Sequence, residues 1–89
     1  MNTEEFLHLL QKEGFPEPVK VEQVPNGQLG MHGHPFEVMA LIIDGSIDIN
    51  IDGNVKTYKA GDIFQLSFKQ PHSESYGPTG VKYLASRKH

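Results

Sequence analysis

The length, composition and charge of the chain exclude several classes of protein. Its 89 residues contain no cysteine, so a disulfide framework is excluded. The net charge of −3 and the scattered lysines argue against a nucleic-acid interface, which needs a clustered basic face. No apolar run could span a bilayer and no signal-peptide pattern is present. We therefore expect a cytoplasmic protein that binds neither membranes nor nucleic acid.

A chain of this length is expected to form one domain, spanning residues 1–89. Such a small domain buries only about 60–65% of the surface that its unfolded chain exposes. Small scaffolds commonly gain stability from a disulfide, a metal or a partner subunit. Because the chain has no cysteine, we expect a metal ion or oligomerisation to supply this stability.

The first element is a short amphipathic helix, predicted over residues 3–13. Thr3 is a plausible N-cap, and Gly14 supplies the stop. The apolar face of the helix consists of Phe6, Leu7, Leu9 and Leu10.

Beyond the helix, residues 19–86 alternate between short strands and turns. Asp44-Gly45 and Asp52-Gly53 are typical turn pairs, and residues 77–80 resemble a loop. The closing residues 86–89 are basic and are expected to form a solvated tail. Some eight short strands at this spacing predict a β-sandwich or β-barrel. Besides the strand carrying His32, they are expected at 19–24, 36–43, 47–51, 55–59, 63–66, 72–76 and 81–85.

The strand at 36–43 lacks a polar outer face. Met39, Leu41 and Ile43 alternate with the residues that would face the barrel interior. Either the N-terminal helix or a second subunit must cover them. Because the helix offers few apolar side chains, we predict a homodimer.

The segment His32-Gly33-His34 is the strongest indication of chemistry. On an extended strand, residues two apart point to the same face, so the two imidazoles would lie side by side. His72 is the candidate for a third ligand. Three neutral imidazoles suit transition metals and leave coordination positions free for water or substrate.

Two motifs in the sequence resemble those of the cupin superfamily, in particular its small single-domain bacterial members. The first comprises Gly27, His32, His34, Glu37 and Gly45, and the second comprises Gly61, Asp62, Phe64, Leu66, Pro71 and His72. The resemblance implies an all-β jelly-roll barrel. It also implies a divalent transition metal (Fe, Zn, Ni, Mn or Cu) and a small-molecule ligand or substrate.

The acidic position of the first motif departs from the family pattern. The family's metal-binding acid follows the second histidine by four or five positions, whereas Glu37 follows His34 by three. Strand parity places Val38 on the histidine face and Glu37 on the other, unless a bulge shifts the register. The expected metal site is therefore His32, His34 and His72, with Glu37 doubtful.

Glu74 is the candidate catalytic residue. It lies two positions after His72, on the same predicted face. It could be a fourth ligand, a partner that orients an imidazole, or a base. Alternatively, it faces solvent at the barrel mouth.

Five side chains are candidates for lining a pocket beside this site. Phe36, Val38 and Ile42 share the parity of the histidines and would form its apolar wall. Phe64 and Tyr76 could line the pocket or belong to the core.

Three functions remain open, since one barrel of this kind hosts unrelated activities. The first is a metal-dependent enzyme of dioxygenase, isomerase or lyase type. The second is a non-catalytic module that binds or senses a small ligand. The third is a structural metal site, for which chelation would unfold the protein.

Overall fold

The computed structural model describes all 89 residues, as one short helix and six antiparallel strands. The elements are α1 (Thr3–Lys12), β1 (Val19–Gln23), β2 (Gln28–His32), β3 (Glu37–Ile51), β4 (Asn54–Lys59), β5 (Ile63–Leu66) and β6 (His72–Lys88). None of the helical structure is both long and apolar enough to cross a membrane.

The two long strands, β3 and β6, organise the sheet. They pair antiparallel from Glu37 opposite Lys88 to Asn50 opposite Ser73. One half of this pair is flanked by β1 and β5, and the other half by β2 and β4. The fold is an all-β jelly roll with one short helix, as the sequence predicts.

Both long strands continue through segments that the sequence predicts to be breaks. The register between β3 and β6 shifts between Ile42 and Asp44 and again between Gly45 and Ile47. Gly45 has a φ of 77°, and a Cβ there would collide with the carbonyl oxygen of Gly80. The predicted turn at 44–45 and the predicted loop at 77–80 are therefore bulges within strands, which reduces the predicted eight strands to six.

The main core lies inside the jelly roll. It consists of Val38, Ala40, Ile42, Ile47, Ile49, Phe64, Leu66, Tyr76, Val81, Tyr83 and Ala85. In β3 the inward residues are even-numbered before Gly45 and odd-numbered after it, because the bulge inserts an extra residue.

A second core covers the outer face of β3. Phe6 and Leu10 of α1 pack with Phe15 against Met39 and Leu41. The helix thus provides the cover that the sequence requires for these two strand residues. Ile43, the third residue of this face, remains 42% exposed.

Both ends of the chain differ from the sequence-based prediction. Asn2, not Thr3, caps α1, because its side chain accepts a hydrogen bond from the Glu5 amide (2.8 Å). Of the expected solvated tail, residues 86–88 belong instead to β6, which extends to Lys88. Ser86 is buried, and its hydroxyl donates to the carbonyl of Pro16 (2.6 Å).

Candidate metal centre

The structure brings the three histidines together at one end of the jelly roll. His32 ends β2 and lies directly opposite His72, the first residue of β6. Their ring centroids are 4.2 Å apart. His34 lies beyond β2 in the connection to β3, and one nitrogen from each of the three rings lies within 4.8 Å of the others.

His34 is positioned by a loop rather than by the strand that the sequence predicts. Its carbonyl accepts a hydrogen bond from the Lys69 amide (2.7 Å) in the β5–β6 turn. A Cβ on Gly33 would lie 3.0 Å from the carbonyl oxygen of Lys69, so a larger residue there would have to displace the β5–β6 turn by a few tenths of an ångström. The His34 ring also stacks on Phe36, with centroids 5.0 Å apart and planes 11° apart.

Backbone carbonyls orient two of the imidazoles. The Nδ1 atom of His32 lies 2.6 Å from the carbonyl oxygen of Gly30, and that of His72 lies 3.0 Å from the carbonyl oxygen of Gln70. A carbonyl only accepts hydrogen bonds, so each Nδ1 carries the proton and donates it. In a neutral ring the Nε2 atom is then left with a free lone pair, which is the arrangement found in metal-binding histidines.

Glu74 lies beside two of the three histidines. Its Oε2 atom is 3.1 Å from Nε2 of His72 and 3.5 Å from Nε2 of His32. Its Oε1 atom accepts a hydrogen bond from the Tyr76 hydroxyl (3.0 Å). The Glu74 side chain is only 8% exposed, so it does not face solvent as one of the sequence-based alternatives proposed.

These polar atoms fit a bound cation. Two nitrogen lone pairs and a carboxylate oxygen, all hydrogen-bond acceptors, face one another in a largely buried space. Nε2 of His32 is buried and has no hydrogen-bond partner. Buried polar atoms rarely remain unpaired, so a proton or a metal ion must supply the positive charge between them.

Burial and neighbouring charged side chains shift the pKa values of three groups at the site. Burial lowers the pKa of His34, and the positive charges that His32, His72 and Arg87 can carry lower it further, while Glu74 opposes them. Burial and the Glu74 carboxylate raise the pKa of Tyr76. The same two causes raise the pKa of Tyr83 to about 12, so both phenols keep their protons at neutral pH.

Glu37 is not part of the histidine cluster. It lies opposite Lys88 in the β3–β6 register, and the metal-ligating group contains only the three histidines. Val38 instead lines the cavity beside the cluster. Only Glu74, on β6, brings a carboxylate close to the imidazoles.

A cavity of about 150 Å³ opens beside His32 and His34. Three of the five side chains predicted to line a pocket do so: Phe36, Val38 and Phe64. The other two, Ile42 and Tyr76, lie in the main core, although the Tyr76 hydroxyl reaches Glu74. Ile42 lies farther along β3, on the inward face of the barrel.

Sequence analysis missed several residues of the cavity wall, including Gln23, Tyr83 and Arg87. Arg87 has the same parity as Tyr83 and Ala85, which also line the cavity. Continuing that alternation two residues further would have identified it. The basic residues at the end of the chain instead suggested a solvated tail.

Comparison with protein families agrees with the fold. The family model of the cupin domain matches residues 19–80, more than half of the chain. The chain belongs to the cupin family. Comparison of this cupin with curated protein sequences gives no significant match.

Several solved structures resemble this cupin. An RmlC-like cupin from Shewanella frigidimarina has 24% sequence identity and a TM-score of 0.69; the match covers 80% of this chain and 63% of that one. An uncharacterised conserved protein with a double-stranded β-helix domain from Klebsiella pneumoniae has 25% identity and a TM-score of 0.67, covering 81% and 67%. A Bacillus subtilis oxalate decarboxylase variant has 21% identity and a TM-score of 0.71, covering 80% and 20%. This cupin therefore spans less than two thirds of the Shewanella protein and a fifth of the decarboxylase, and the likeness is one of fold.

Proposed function

We propose that this cupin binds a divalent transition metal through His32, His34 and His72, with Glu74 as the carboxylate of the centre. The observation that carries the proposal is the buried Nε2 atom of His32, which has no partner although the backbone fixes its ring. Imidazole and carboxylate ligands suit Fe, Zn, Ni, Mn and Cu, and we propose one of these.

The chemistry proposed for the centre is small-molecule turnover of dioxygenase, isomerase or lyase type. A bound divalent metal would supply Lewis acidity and lower the pKa of bound water. The protein would orient the substrate along the apolar wall formed by Phe36, Val38 and Phe64. Glu74, held by the Tyr76 hydroxyl, would accept or return a proton at its Oε2 atom.

One observation favours the alternative of a non-catalytic binding or sensor module. Both carboxylate oxygens of Glu74 already have partners, namely His72 on one side and Tyr76 on the other. If Glu74 stays so engaged, the cavity offers no free carboxylate to act as a base. A small ligand could still bind to the centre without being transformed.

Metal analysis of the untagged protein tests the proposed centre. Wild type, His34→Ala and His8→Ala are compared by mass spectrometry after equilibration with each metal. His8 is the matched control because it is exposed on α1. We expect close to one ion per chain in wild type and His8→Ala and little in His34→Ala. Absence of metal from wild type after reconstitution would refute the proposal.

Turnover assays separate the two functions. Substrate-dependent oxygen uptake by the iron form, or isomerase and hydrolytic activity of the zinc form, would establish an enzyme. A tightly bound organic ligand without turnover would establish the binding module.

We also propose the homodimer and the cytoplasmic location. Ile43 supports the dimer, since it is 42% exposed at the end of the face that α1 covers and lies beside a surface groove. Ile43→Glu is expected to halve the mass measured by sedimentation equilibrium. A wild-type mass of one chain would refute the dimer, and cell fractionation tests the location.

A further inference from the structure

Arg87 is the feature of the cavity that the proposed metal centre does not explain. It is the only arginine of the chain, and it lines the cavity near the end of β6. The strand register places it opposite Val38, where the segment carrying His34 enters β3. The guanidinium is therefore at the same end of the jelly roll as the histidines.

The guanidinium has no anionic partner within the protein. The carboxylate of Glu74 faces His32 and His72, and that of Glu22 pairs with Lys82. The guanidinium carbon of Arg87 lies 5.4 Å from the centroid of the Phe36 ring, whose plane is also stacked with His34. This contact positions the side chain and leaves its planar set of N–H donors available to a ligand.

The charges that line the cavity favour an anionic ligand. Apart from its histidines, only Glu74 and Arg87 among the lining residues carry a formal charge, and these two cancel. Adding a divalent ion at the histidine cluster leaves an excess of positive charge, part of it on the exposed Arg87 at the rim of the cavity. A carboxylate matches the guanidinium by a bidentate pair of charge-assisted hydrogen bonds.

The apolar lining of the cavity determines which chemical group fits next to the carboxylate of the ligand. The cavity is small, about 150 Å³, and most of its lining is aliphatic or aromatic. The apolar lining includes Val21, Leu29, Val38, Phe64, Leu66 and Ala85. They favour a short aliphatic chain over a sugar or another highly hydroxylated ligand, whose hydroxyl groups would lack partners there.

We propose that the ligand of this cavity is a short-chain aliphatic carboxylate, and that Arg87 is the residue that selects it by pairing with the carboxylate. This inference rests on the proposed function for the metal and adds the chemical class of the ligand. The carboxylate would pair with Arg87 at the rim, and the aliphatic portion would extend along the apolar wall toward the histidines.

The experiment compares isobutyrate with isobutyramide, a neutral analogue of nearly the same shape. Titrations use the cobalt-loaded protein with calorimetry, and the metal-free protein with NMR of the Arg87 Nε–Hε group, whose assignment is unambiguous because the chain has one arginine. In both forms we expect isobutyrate to bind at least tenfold more tightly than isobutyramide, and in the metal-free protein we expect it to shift the Arg87 resonance.

Substitutions of Arg87 test whether its guanidinium causes the preference for isobutyrate over isobutyramide. Arg87→Gln should lose the preference for isobutyrate, and Arg87→Lys should recover only part of it, because lysine lacks the planar pair of donors. Lys82→Gln is the matched control, since it removes one positive charge from the exposed side of the same strand. It should bind isobutyrate as wild type does. Cobalt binding should be unchanged in all three variants.

Equal binding of the acid and the amide, absence of isobutyrate binding at millimolar concentration, or wild-type affinity in Arg87→Gln would each overturn the inference. A different result, the absence of cobalt binding, would refute the proposed metal centre. In that event the NMR titration of the metal-free protein still decides whether Arg87 selects the carboxylate.

Discussion

The Oε2 atom of Glu74 lies 3.1 Å from the Nε2 atom of His72, while the other nitrogen of that ring donates to a backbone carbonyl. The carboxylate and the imidazole reach this distance because the two residues are separated by one position on β6 and share a face. The pair is buried, with exposed fractions of 8% and 1%. Such a contact between two acceptors is stable only when a proton or a metal ion lies between them.

Replacing Glu74 by glutamine tests its part in the centre. The amide keeps the size of the side chain but removes the negative charge that a cation would neutralise. We expect Glu74→Gln to weaken zinc affinity roughly 10- to 100-fold, the usual effect of losing a carboxylate next to metal-binding histidines. Competition with a chromophoric chelator measures the affinity. Asp52→Asn makes the same chemical change in the exposed β3–β4 turn and should bind zinc as wild type does; equal affinities in all three proteins would contradict the role of Glu74.

Removing the hydroxyl of Tyr76 should affect both stability and metal affinity. The hydroxyl donates to a buried carboxylate, and hydrogen bonds to charged groups contribute about 1.5–3 kcal/mol. Tyr76→Phe is expected to lower the free energy of unfolding of the metal-free protein by that amount, as measured by urea denaturation. Zinc affinity should also fall, because the Glu74 carboxylate loses the bond that orients it. The partly buried Tyr58 contacts no carboxylate in the site, so Tyr58→Phe serves as the control.

Metal removal distinguishes a functional centre from a structural one. Saturating zinc, at 100 times its dissociation constant, should stabilise the protein by about 2.7 kcal/mol. For a domain of this size that corresponds to a rise in Tm of roughly 10–20 °C. The chelated protein should nevertheless remain folded, because the two hydrophobic cores do not include the histidines. Loss of the far-ultraviolet circular dichroism spectrum on chelation would instead indicate a structural metal.

The lowered pKa of His34 predicts how the stability of the metal-free protein depends on pH. Its folded pKa lies below the ordinary value of 6.5, so near that pH the unfolded chain binds more protons at this residue than the folded protein does. The contribution of His34 to the free energy of unfolding is therefore complete above about pH 7.5 and decreases as the pH falls through 6.5 toward the folded pKa. Urea denaturation across this range measures the decrease, which should be smaller in His34→Gln. An identical pH dependence in the two proteins would show that His34 does not cause the decrease.

The packing of α1 against β3 should make Phe6 one of the most important residues for stability. Its side chain is fully buried in the second core, and Phe→Ala substitutions of this kind cost about 3–5 kcal/mol. That is a large part of the roughly 5–15 kcal/mol that stabilises a typical domain. Leu7→Ala, on the exposed side of the same helix, should change the free energy of unfolding by less than about 0.5 kcal/mol. Thermal and urea denaturation would contradict the packing argument if both variants behaved alike.

The local features of the fold can be predicted from the amino-acid sequence. The type of turn at Asp52-Gly53 follows from residues that tolerate positive φ, and both adopt it, at 52° and 82°. The helix follows from a 3.6-residue apolar period, and the spacing of His32 and His34 predicts that their two imidazoles lie close together. These features depend on neighbours in the chain, so a sequence pattern is sufficient to predict them.

Other features depend on how distant segments pair in the folded protein and could not be predicted from the sequence. Alternation along a strand defines two faces, but a bulge such as that at Gly45 exchanges them, and its position depends on the close approach of Gly80. Sequence parity could place Glu74 on the face of His72, but its position between two imidazoles depends on the pairing of β2 with β6. Arg87 reaches the cavity because β6 remains paired with β3 almost to the end of the chain. The three histidines could therefore be predicted from the sequence motifs, whereas the contacts of Glu74 and the position of Arg87 in the cavity required the fold.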